Sequence, residues 1–240
     1  MKTISIIIPA FNEAERISPT IRDFSNLLIA MNRSHEILVV DDGSTDETAG
    51  LIEKLSKEIA EVKLIPSVGN FGKGHAVRRG MLIAKGDIRL FADADGATPA
   101  AELEKFITPI EAGEADLAIG TRYHPSSIID KAQPRYRVIW SRIANKFVQR
   151  LLLPGIADPN CGFKAFRGIV AQRLFEPCQT DEWSFDLEIL SLARQLNYQL
   201  LEIPIRWRND ERSKGKVSDL PKEIRNLIKI KRNMKRLSFT

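Results

Sequence analysis

The sequence predicts an α/β fold in which a mostly parallel central sheet carries helices on both faces. Two observations support this prediction. Through the first 120 residues, short apolar segments alternate with amphipathic stretches, and such alternation is typical of parallel sheets with crossover helices. Apolar residues make up 43% of the 240 residues, which suffices for a sizeable core.

Five short apolar segments in the first half predict strands, because each ends at a proline, a glycine or an acidic turn. They are residues 3–8, 36–40, 62–66, 87–92 and 115–120. Between them, residues with helical spacing predict four amphipathic helices. These cover residues 17–31, a stretch capped by Ser44 or Asp46, residues 76–84, and a stretch that opens at Thr98 or Pro99.

The second half of the chain is less regular. It predicts helices over residues 138–153 and 185–196, a strand over 200–207 and a helical tail from Pro221. No strong linker is visible. We therefore expect a single domain over residues 1–219, divided into halves 1–120 and 121–219, with a basic amphipathic helix over 220–240.

The net charge of +5 is concentrated at the C-terminus. Residues 206–240 hold 12 Lys and Arg against 4 Asp and Glu, a sum of +8, whereas the other 205 residues hold 24 against 27, a sum of −3. Residues 131–150 form a second basic stretch without an acidic residue. Apolar stripes with basic flanks predict helices that lie on an anionic membrane surface, although ordinary solvated helix faces would give the same pattern.

No apolar run reaches the roughly 20 residues that span a bilayer, and the N-terminus has no signal-peptide pattern. The two cysteines, Cys161 and Cys178, lack metal-ligand spacing and predict reduced thiols. We therefore expect a cytoplasmic protein that is peripheral on the cytoplasmic face of a membrane.

Polar residues follow three of the predicted strands. In an open parallel sheet, ligands bind outside the carboxyl ends of the strands. Helix caps and solvated side chains explain each residue singly, but buried unpaired carboxylates are costly, so the set together predicts a binding site. The strand ends are Pro9-Ala10-Phe11-Asn12-Glu13, Asp41-Asp42-Gly43-Ser44 and Asp93-Ala94-Asp95.

Two short motifs point to phosphate and metal. A turn at Gly96 brings the carboxylates of Asp93 and Asp95 towards one hard cation, and oxygen ligands of this kind suit Mg²⁺ or Mn²⁺. Such a cation stabilises charge on a departing diphosphate. Residues 69–74 precede a helix, so their amides and Lys73 are placed to approach phosphate. A simple helix-starting turn is the alternative for this segment.

Seven short motifs follow one another along the chain. They are IIPAFNE at residue 7, VVDDGSTD at 39, NFGKGHAV at 70, FADADGAT at 91, GTR at 120, DPNCGFK at 158 and WSFDLE at 183. In this order they resemble the GT-A glycosyltransferases of family 2, in particular the polyprenyl-phosphate hexosyltransferases of the dolichyl-phosphate β-glucosyltransferase type. Dolichyl-phosphate mannose synthases are similar at a greater distance. The likeness runs from Ile4 to about Lys216 and implies a Rossmann-like nucleotide-binding half.

The resemblance implies a role for each matching residue on the donor side. Uridine and ribose would contact the strand-end residues, with Asp41 in support. Asp93 and Asp95 would carry the metal and the donor diphosphate, and Asp95 would be catalytic. The implied nucleotide-sugar-binding residues are Pro9, Ala10, Phe11, Glu13, Asp41, Asp42, Lys73 and Asp93. UDP-glucose is the donor the family implies; UDP-N-acetylglucosamine, UDP-galactose and GDP-mannose stay open.

On the acceptor side, the resemblance places Arg122 near a polyprenyl phosphate, with Arg135 or Arg137 as helpers. Arg212-Ser213-Lys214 resembles the phosphate-contacting loop that follows the last strand in such enzymes. The family pattern there is Gly-Ser-Lys, and Arg212 replaces the glycine. Which of Arg212, Lys214 and Lys216 contacts phosphate therefore stays open.

A phosphate acceptor agrees with the residues present. The second pKa of a phosphate monoester is about 6, so at neutral pH it is mainly a dianion that needs cations more than a general base. Asp186 is the candidate base for a hydroxyl acceptor, with Glu188 beside it. Support of Trp183 and the neighbouring loop is the other interpretation of Asp186. By analogy, transfer is a single displacement that inverts the anomeric centre.

Two other functions compete with this hypothesis. Asp93-Ala94-Asp95-Gly96-Ala97-Thr98 resembles a haloacid-dehalogenase phosphohydrolase motif, but Ala97 breaks the spacing. A non-enzymatic nucleotide- or nucleic-acid-binding module would use the basic C-terminus. It would leave the acidic strand ends unexplained, because they repel a phosphate backbone. We therefore expect no nucleic-acid partner.

Overall fold

The structure, a computed structural model, describes residues 2–132, 134–210 and 220–237. Within these residues the strands are β1 Ile4–Ala10, β2 His35–Asp41, β3 Val62–Pro66, β4 Ile88–Ala92, β5 Leu117–Thr121, β6 Ile128–Lys131, β7 Phe163–Arg167, β8 Leu200–Pro204 and β9 Arg206–Arg208. Seven of them form one sheet in the order β3-β2-β1-β4-β7-β5-β8, and β6 pairs with β9 in a separate two-stranded sheet.

Helices cover both faces of the seven-stranded sheet. They are α1 Ile17–Ala30, α2 Thr48–Glu58, α3 Lys73–Ile83, α4 Leu103–Glu111, α5 Arg135–Leu151, α6 Gly168–Phe175, α7 Phe185–Gln195 and α8 Leu220–Leu237, with a 3₁₀ turn at Ala100–Glu102. Alternate residues of each strand point to opposite faces. Ile6 and Ile8 accordingly pack with α1, α2 and α4, whereas Ile7 packs with α3, α6 and α7.

The predicted α/β class and mostly parallel sheet are confirmed. Every predicted strand of the first half forms within two residues of its expected bounds. The register of β1 and β2 pairs Ala10 with Asp41, so the polar residues that follow these strands emerge at one edge. This parallel register is what brings the predicted site together.

Three elements in the middle of the chain were not predicted: β6, β7 and α6. Strand β7 lies between β4 and β5 and is antiparallel to both, and helix α6 follows it directly. Lys164, the second residue of β7, is fully buried, so the strand lacks the continuous apolar run that marks its neighbours. Its charge is neutralised by Asp186 at 2.7 Å, a partner 22 residues away that the sequence pattern does not show.

The predicted strand over residues 200–207 is divided in two. Leu200–Pro204 forms β8 at the edge of the large sheet, and Arg206–Arg208 forms β9 in the small sheet. Ile205 is buried at the junction, and its N–H donates to Thr121 O at 3.4 Å. The break occurs because the chain leaves one sheet to pair with β6 in another.

The C-terminal helix packs against the protein. Its Ile230 is buried in the core on the α7 face, and Leu227 and Met234 pack at the border of that core. The Asn226 amide also donates to Ser184 Oγ at 3.0 Å. Of the predicted apolar stripe of α8, Leu227 and Met234 therefore cover the body of the protein, whereas Ile228 is 59% exposed. No helix in the described ranges has the length and apolar character to cross a bilayer.

Candidate active site

A cavity of about 380 Å³ opens at the carboxyl ends of β1, β2 and β4. Five residues that follow or end β1 and β2 line one end of it: Pro9, Ala10, Phe11, Glu13 and Asp42. These strand ends are tied together by the Asp42 N–H, which donates to Ala10 O at 2.8 Å. The predicted nucleotide residues thus occupy one wall, apart from Asp41.

Asp41 and Asp42 have different surroundings. Asp41 does not line the cavity; its carboxylate binds the Ser44 hydroxyl and lies 3.2 Å from the Ser44 N–H. The Asp42 carboxylate accepts hydrogen bonds from the backbone N–H groups of Phe71 (3.0 Å) and Gly72 (2.7 Å). Burial raises the pKa of Asp42, and those two bonds oppose the shift. Asp41 therefore shapes the turn, whereas Asp42 fixes the loop that carries Lys73.

Lys73 begins α3 and points to the centre of the cavity. Its Nζ lies 2.6 Å from Asp93 Oδ1 and 4.8 Å from the centroid of the Trp183 ring. Gly72 has a φ of +108°, and a Cβ there would lie 2.4 Å from Asp181 O. This glycine lets the Lys73 loop approach the loop that carries Trp183, so the two loops form one wall.

Asp93 and Asp95, which we call the carboxylate pair, line the same cavity. Burial, and then the charge of Asp93, raise the pKa of Asp95 to about 6. Gly162 allows this placement, because a Cβ on it would lie 1.9 Å from Asp93 Oδ2. The site concentrates negative charge beside open space, which fits a divalent cation with oxygen ligands.

The carboxylate pair fits a cation that also binds substrate. Across the part of the chain that the structure describes, no group of three or more His, Cys, Asp and Glu side chains is arranged to hold a metal ion by itself. Magnesium is commonly held by one or two carboxylates together with substrate phosphates and water. Asp93 and Asp95 would therefore supply the protein ligands, and a diphosphate would complete the site.

Arg16 is a cavity residue that the sequence interpretation missed. Its guanidinium pairs with Glu13 and lies 3.2 Å from Asp210 Oδ2 and 3.9 Å from Asp95 Oδ2. Burial opposes its charge, but these carboxylates together raise the pKa of Arg16. Arg16 joins the β1 loop, the carboxylate pair and the end of β9. Its position three residues after Glu13 was the only signal in the sequence.

Arg122 follows β5 and lies on the opposite wall. Its Nε and Nη2 donate to the fully buried carboxylate of Asp158 at 2.7 and 2.8 Å. Its guanidinium lies 5.8 Å from the Tyr123 ring centroid and 5.3 Å from that of Trp207. Although burial opposes the charge, Asp158 raises the pKa of Arg122. The side chain is therefore a rigid, permanent cation.

A second cavity of about 500 Å³ adjoins the first at Asp95 and Ala97. Lys131 of β6 and Arg208 of β9 line it. No described side chain pairs with the Arg208 guanidinium, whereas Arg206 on the same strand is bound to Asp130 at 2.6 Å. Sequence reasoning missed this pair of cations, because β6 and β9 are distant in the chain and meet only in the small sheet.

Other predicted residues lie away from the cavities or outside the described part. Asp186 lines neither cavity and is paired with Lys164, and the Glu188 carboxylate accepts from Thr180 N–H at 2.8 Å. Trp183, in contrast, lines the first cavity and is half exposed. Arg135 and Arg137 belong to the first turn of α5, but their side chains are not described. Arg212, Lys214 and Lys216 lie outside the described residues.

Comparison with known proteins identifies the family. The model for "Glycosyl transferase family 2" matches residues 5–175, which is well over half of the chain. The chain belongs to glycosyltransferase family 2. This confirms the enzyme class that the motifs implied, and it gives no support to a phosphohydrolase or a nucleic-acid-binding module.

Named relatives of this family 2 glycosyltransferase are similar over most of the chain. A dolichyl-phosphate β-glucosyltransferase of Saccharomyces cerevisiae is 36% identical over 230 residues, covering 88% of this chain and 68% of the relative. The enzyme of the same name from Dictyostelium discoideum is 34% identical over 223 residues, with the same coverage of 88% and 68%. The subfamily resemblance drawn from the motifs is thereby confirmed.

A solved structure shares the fold of this glycosyltransferase. Glucosyl-3-phosphoglycerate synthase from Mycobacterium tuberculosis, crystallised with Mn²⁺, UDP-glucose and phosphoglyceric acid, superposes with a TM-score of 0.70. The identity is 18%, and the superposition covers 97% of this chain and 79% of that one. The fold is therefore of the GT-A type, as expected.

Proposed function

We propose that this glycosyltransferase moves glucose from UDP-glucose to a polyprenyl phosphate, with Mg²⁺ or Mn²⁺ as cofactor. One observation carries the proposal: a single cavity holds the carboxylate pair together with the cations Lys73 and Arg122. Such a cavity suits a reaction between a metal-bound diphosphate and a second phosphate. The named relatives, which are dolichyl-phosphate β-glucosyltransferases, supply the acceptor class and the sugar.

The donor occupies the wall formed by β1, β2 and β4. Phe11 and Asp42 contact the uridine and ribose, while Lys73 lies beside the diphosphate. Asp93 and Asp95 hold the divalent cation, which when bound stabilises negative charge on the departing diphosphate. The solved neighbour that binds UDP-glucose with Mn²⁺ supports this assignment of donor and cofactor.

The acceptor phosphate lies between Arg122 and the second cavity. Arg122 is held in place by Asp158 and by two aromatic rings, and Arg208 offers a guanidinium without a described partner. Both are permanent cations, and a phosphate dianion needs such cations more than it needs a base. The adjoining cavities provide separate positions for acceptor and leaving diphosphate, as an inverting displacement requires.

Helix α5 forms the surface through which the enzyme contacts a membrane. Ile143, Phe147 and Leu151 recur at intervals of four residues and are 53%, 51% and 39% exposed. Arg142, Lys146 and Arg150, each one residue earlier, are also exposed. An apolar stripe beside a row of cations fits the interface of an anionic bilayer, where a polyprenyl phosphate resides. This surface supports peripheral attachment at the cytoplasmic face.

The proposed functions divide the chain into three parts. Residues 1–120 bind the nucleotide sugar, residues 121–219 bind the acceptor, and residues 220–240 form a basic appendage that includes α8. Because α8 covers part of the core, we assign the main membrane contact to α5.

The deciding experiment is transfer of labelled glucose from UDP-glucose to a short polyprenyl phosphate by the purified protein. We expect labelled lipid with Mg²⁺ or Mn²⁺ and none with EDTA. UDP-N-acetylglucosamine, UDP-galactose and GDP-mannose serve as competing donors. Donor binding without lipid labelling from any of the four would overturn the acceptor class and direct the search to a hydroxyl acceptor.

A further inference from the structure

The loop between α6 and α7 places an indole ring, that of Trp183, in the wall of the first cavity. The ring is 51% exposed and lines this cavity together with Lys73. In the described part of the chain it packs into neither of the two hydrophobic cores. Because burial is what makes a large aromatic side chain stabilising, packing does not explain why this ring stands open to the cavity.

Hydrogen bonds hold the loop on both sides of the ring. Before it, the buried Glu188 carboxylate accepts from the backbone N–H groups of Gln179 at 3.2 Å and Thr180 at 2.8 Å. After it, the Ser184 hydroxyl accepts from the Asn226 amide at 3.0 Å. The ring is therefore exposed on a loop whose position is fixed.

Helix α3 fixes the same loop from the side of the donor wall. The His75 N–H donates to Asp181 O at 3.1 Å, and Arg78 Nη2 lies 3.1 Å from Asp181 Oδ1. Both of these bonds come from the helix that begins with Lys73. The structure therefore keeps Trp183 and Lys73 in a constant relation to each other.

The ring lies beside the group that the proposed function assigns to the donor diphosphate. Lys73 Nζ is 4.8 Å from the centroid of the Trp183 ring and 2.6 Å from Asp93 Oδ1. In a nucleotide diphosphate sugar, the hexose is bonded to the phosphate farther from the nucleoside. A donor whose diphosphate lies at Lys73 and the carboxylate pair therefore places its hexose beside Trp183.

The chemistry of the ring favours the hexose over either phosphate. The face of an aromatic ring is electronegative, so it disfavours contact with a phosphate dianion. A hexose is neutral, and one face of its ring carries C–H groups that pack on an aromatic surface while the hydroxyl groups stay free to form hydrogen bonds. The indole N–H adds one hydrogen-bond donor.

We propose that Trp183 forms the hexose subsite of the donor, with its ring against the apolar face of the sugar. This inference rests on the proposed function, because it needs a nucleotide diphosphate sugar at the carboxylate pair. It assigns the loop between α6 and α7 to sugar binding, whereas Phe11 and Asp42 contact the nucleoside.

The test compares the affinities of UDP and UDP-glucose, because only the second ligand carries the hexose. Each is titrated by calorimetry into the wild type, Trp183→Leu and Trp183→Phe, with Mg²⁺ present and no acceptor. We expect Trp183→Leu to bind UDP-glucose on the order of tenfold more weakly and to bind UDP as the wild type does. Trp183→Phe keeps an aromatic face and should recover most of the loss.

An equally exposed ring provides the matched control. Phe147 of α5 is also 51% exposed and lies outside the walls of both cavities. We expect Phe147→Leu to bind UDP and UDP-glucose with the wild-type affinities. The melting temperature of each variant checks its folding.

The outcomes separate this inference from the proposed function. If the wild type binds neither UDP nor UDP-glucose, the proposed donor itself fails. If the wild type binds both and Trp183→Leu keeps the wild-type ratio of the two affinities, the donor stands and the hexose subsite is wrong.

Three further results would also overturn the subsite. An equal loss of both affinities would assign the ring to the support of Lys73. A rise in the KM for polyprenyl phosphate with unchanged UDP-glucose binding would assign it to the acceptor. A Trp183→Leu protein that does not fold would show that the ring serves packing.

Discussion

The proposed donor wall and the proposed acceptor wall of the site are built in different ways. The proposed donor wall consists mainly of residues that directly follow parallel strands, and backbone bonds such as Asp42 N–H to Ala10 O at 2.8 Å join those strand ends. The acceptor wall depends on ion pairs between distant segments. Arg122 binds Asp158, 36 residues away, and Glu202 accepts from the N–H groups of Ala157 and Asp158.

This difference indicates which interactions position the donor residues and which position the acceptor residues. The sheet register places most of the proposed donor residues, whereas Lys73 is placed by the loop bonds to Asp42 and by its pairing with Asp93. The acceptor residues need several side-chain pairs to form together, and a change in one pair alters the whole wall. Substitutions on the two walls should therefore change different kinetic constants.

The largest effect is expected at the carboxylate pair. Asp95→Asn keeps the volume of the side chain but removes one of the two proposed cation ligands, so we expect transfer to fall by at least about 10²- to 10³-fold. The measurement is labelled-glucose transfer, with melting temperature as the check on folding. Asp23→Asn, an exposed carboxylate on α1, is the control. Near-normal turnover of Asp95→Asn with Mg²⁺ or Mn²⁺ would remove the metal assignment.

The next largest effect is expected at Gly162, which directly precedes β7 and lies against Asp93. A Cβ at position 162 would lie 1.9 Å from Asp93 Oδ2 and 2.3 Å from Asp93 Cγ. Gly162→Ala must therefore displace Asp93, and misplacement of a catalytic group by about 1 Å costs on the order of 10²-fold in rate. Gly50→Ala in α2, where the nearest atom is 3.7 Å away, is the control. Transfer by Gly162→Ala at the wild-type rate would contradict the tight approach.

A smaller and more selective effect is expected on the acceptor wall. Arg208→Ala removes a cation from the second cavity, so the KM for polyprenyl phosphate should rise about tenfold or more, the value of one charged hydrogen bond. The KM for UDP-glucose should stay unchanged. Arg206→Ala, on the same strand but paired with Asp130, is the matched control. An equal rise in the acceptor KM of both variants would show that the second cavity has no specific role in acceptor binding.

The smallest effect is expected at helix α5, the proposed membrane contact. Phe147→Ser removes a half-exposed ring from α5, and loss of about 1 kcal/mol of apolar burial weakens binding to anionic vesicles about fivefold. Ile29→Ser removes an apolar side chain that is 61% exposed on α1, a helix that packs on the other face of the sheet. Vesicle sedimentation measures both. Equal binding by the two variants would exclude α5 as the membrane contact.

Much of this architecture could be predicted because its signals are local. The strands of the first half have continuous apolar runs, and Asp42, Asp93 and Asp95 follow those strands directly. Helix α5 likewise shows its exposed stripe in the spacing of Ile143 and Phe147. In each case the residues that determine the element lie within a few positions of one another. The periodicity and the strand ends can therefore be identified from the sequence.

The rest required the tertiary structure, because it depends on pairs that are distant in the chain. Strand β7 carries a buried Lys164 whose partner Asp186 belongs to another element, so its pattern looks like that of a surface segment. Residues 200–207 look like one strand until the chain leaves the large sheet at Ile205. Arg16 and Arg208 enter the site only after Asp210 and Lys131 are brought beside them.

The sequence by itself determined the α/β class, the carboxyl edge at which the site lies, the carboxylate pair and the family. The tertiary structure alone decided that Arg122 is held by Asp158, that Arg208 lines the second cavity, that α8 covers part of the core, and that Asp186 pairs with the buried Lys164. The physical reason is how far apart in the sequence the interacting residues lie. Strand and helix periodicity follows from the backbone nearby, whereas charge pairing follows from distance in space.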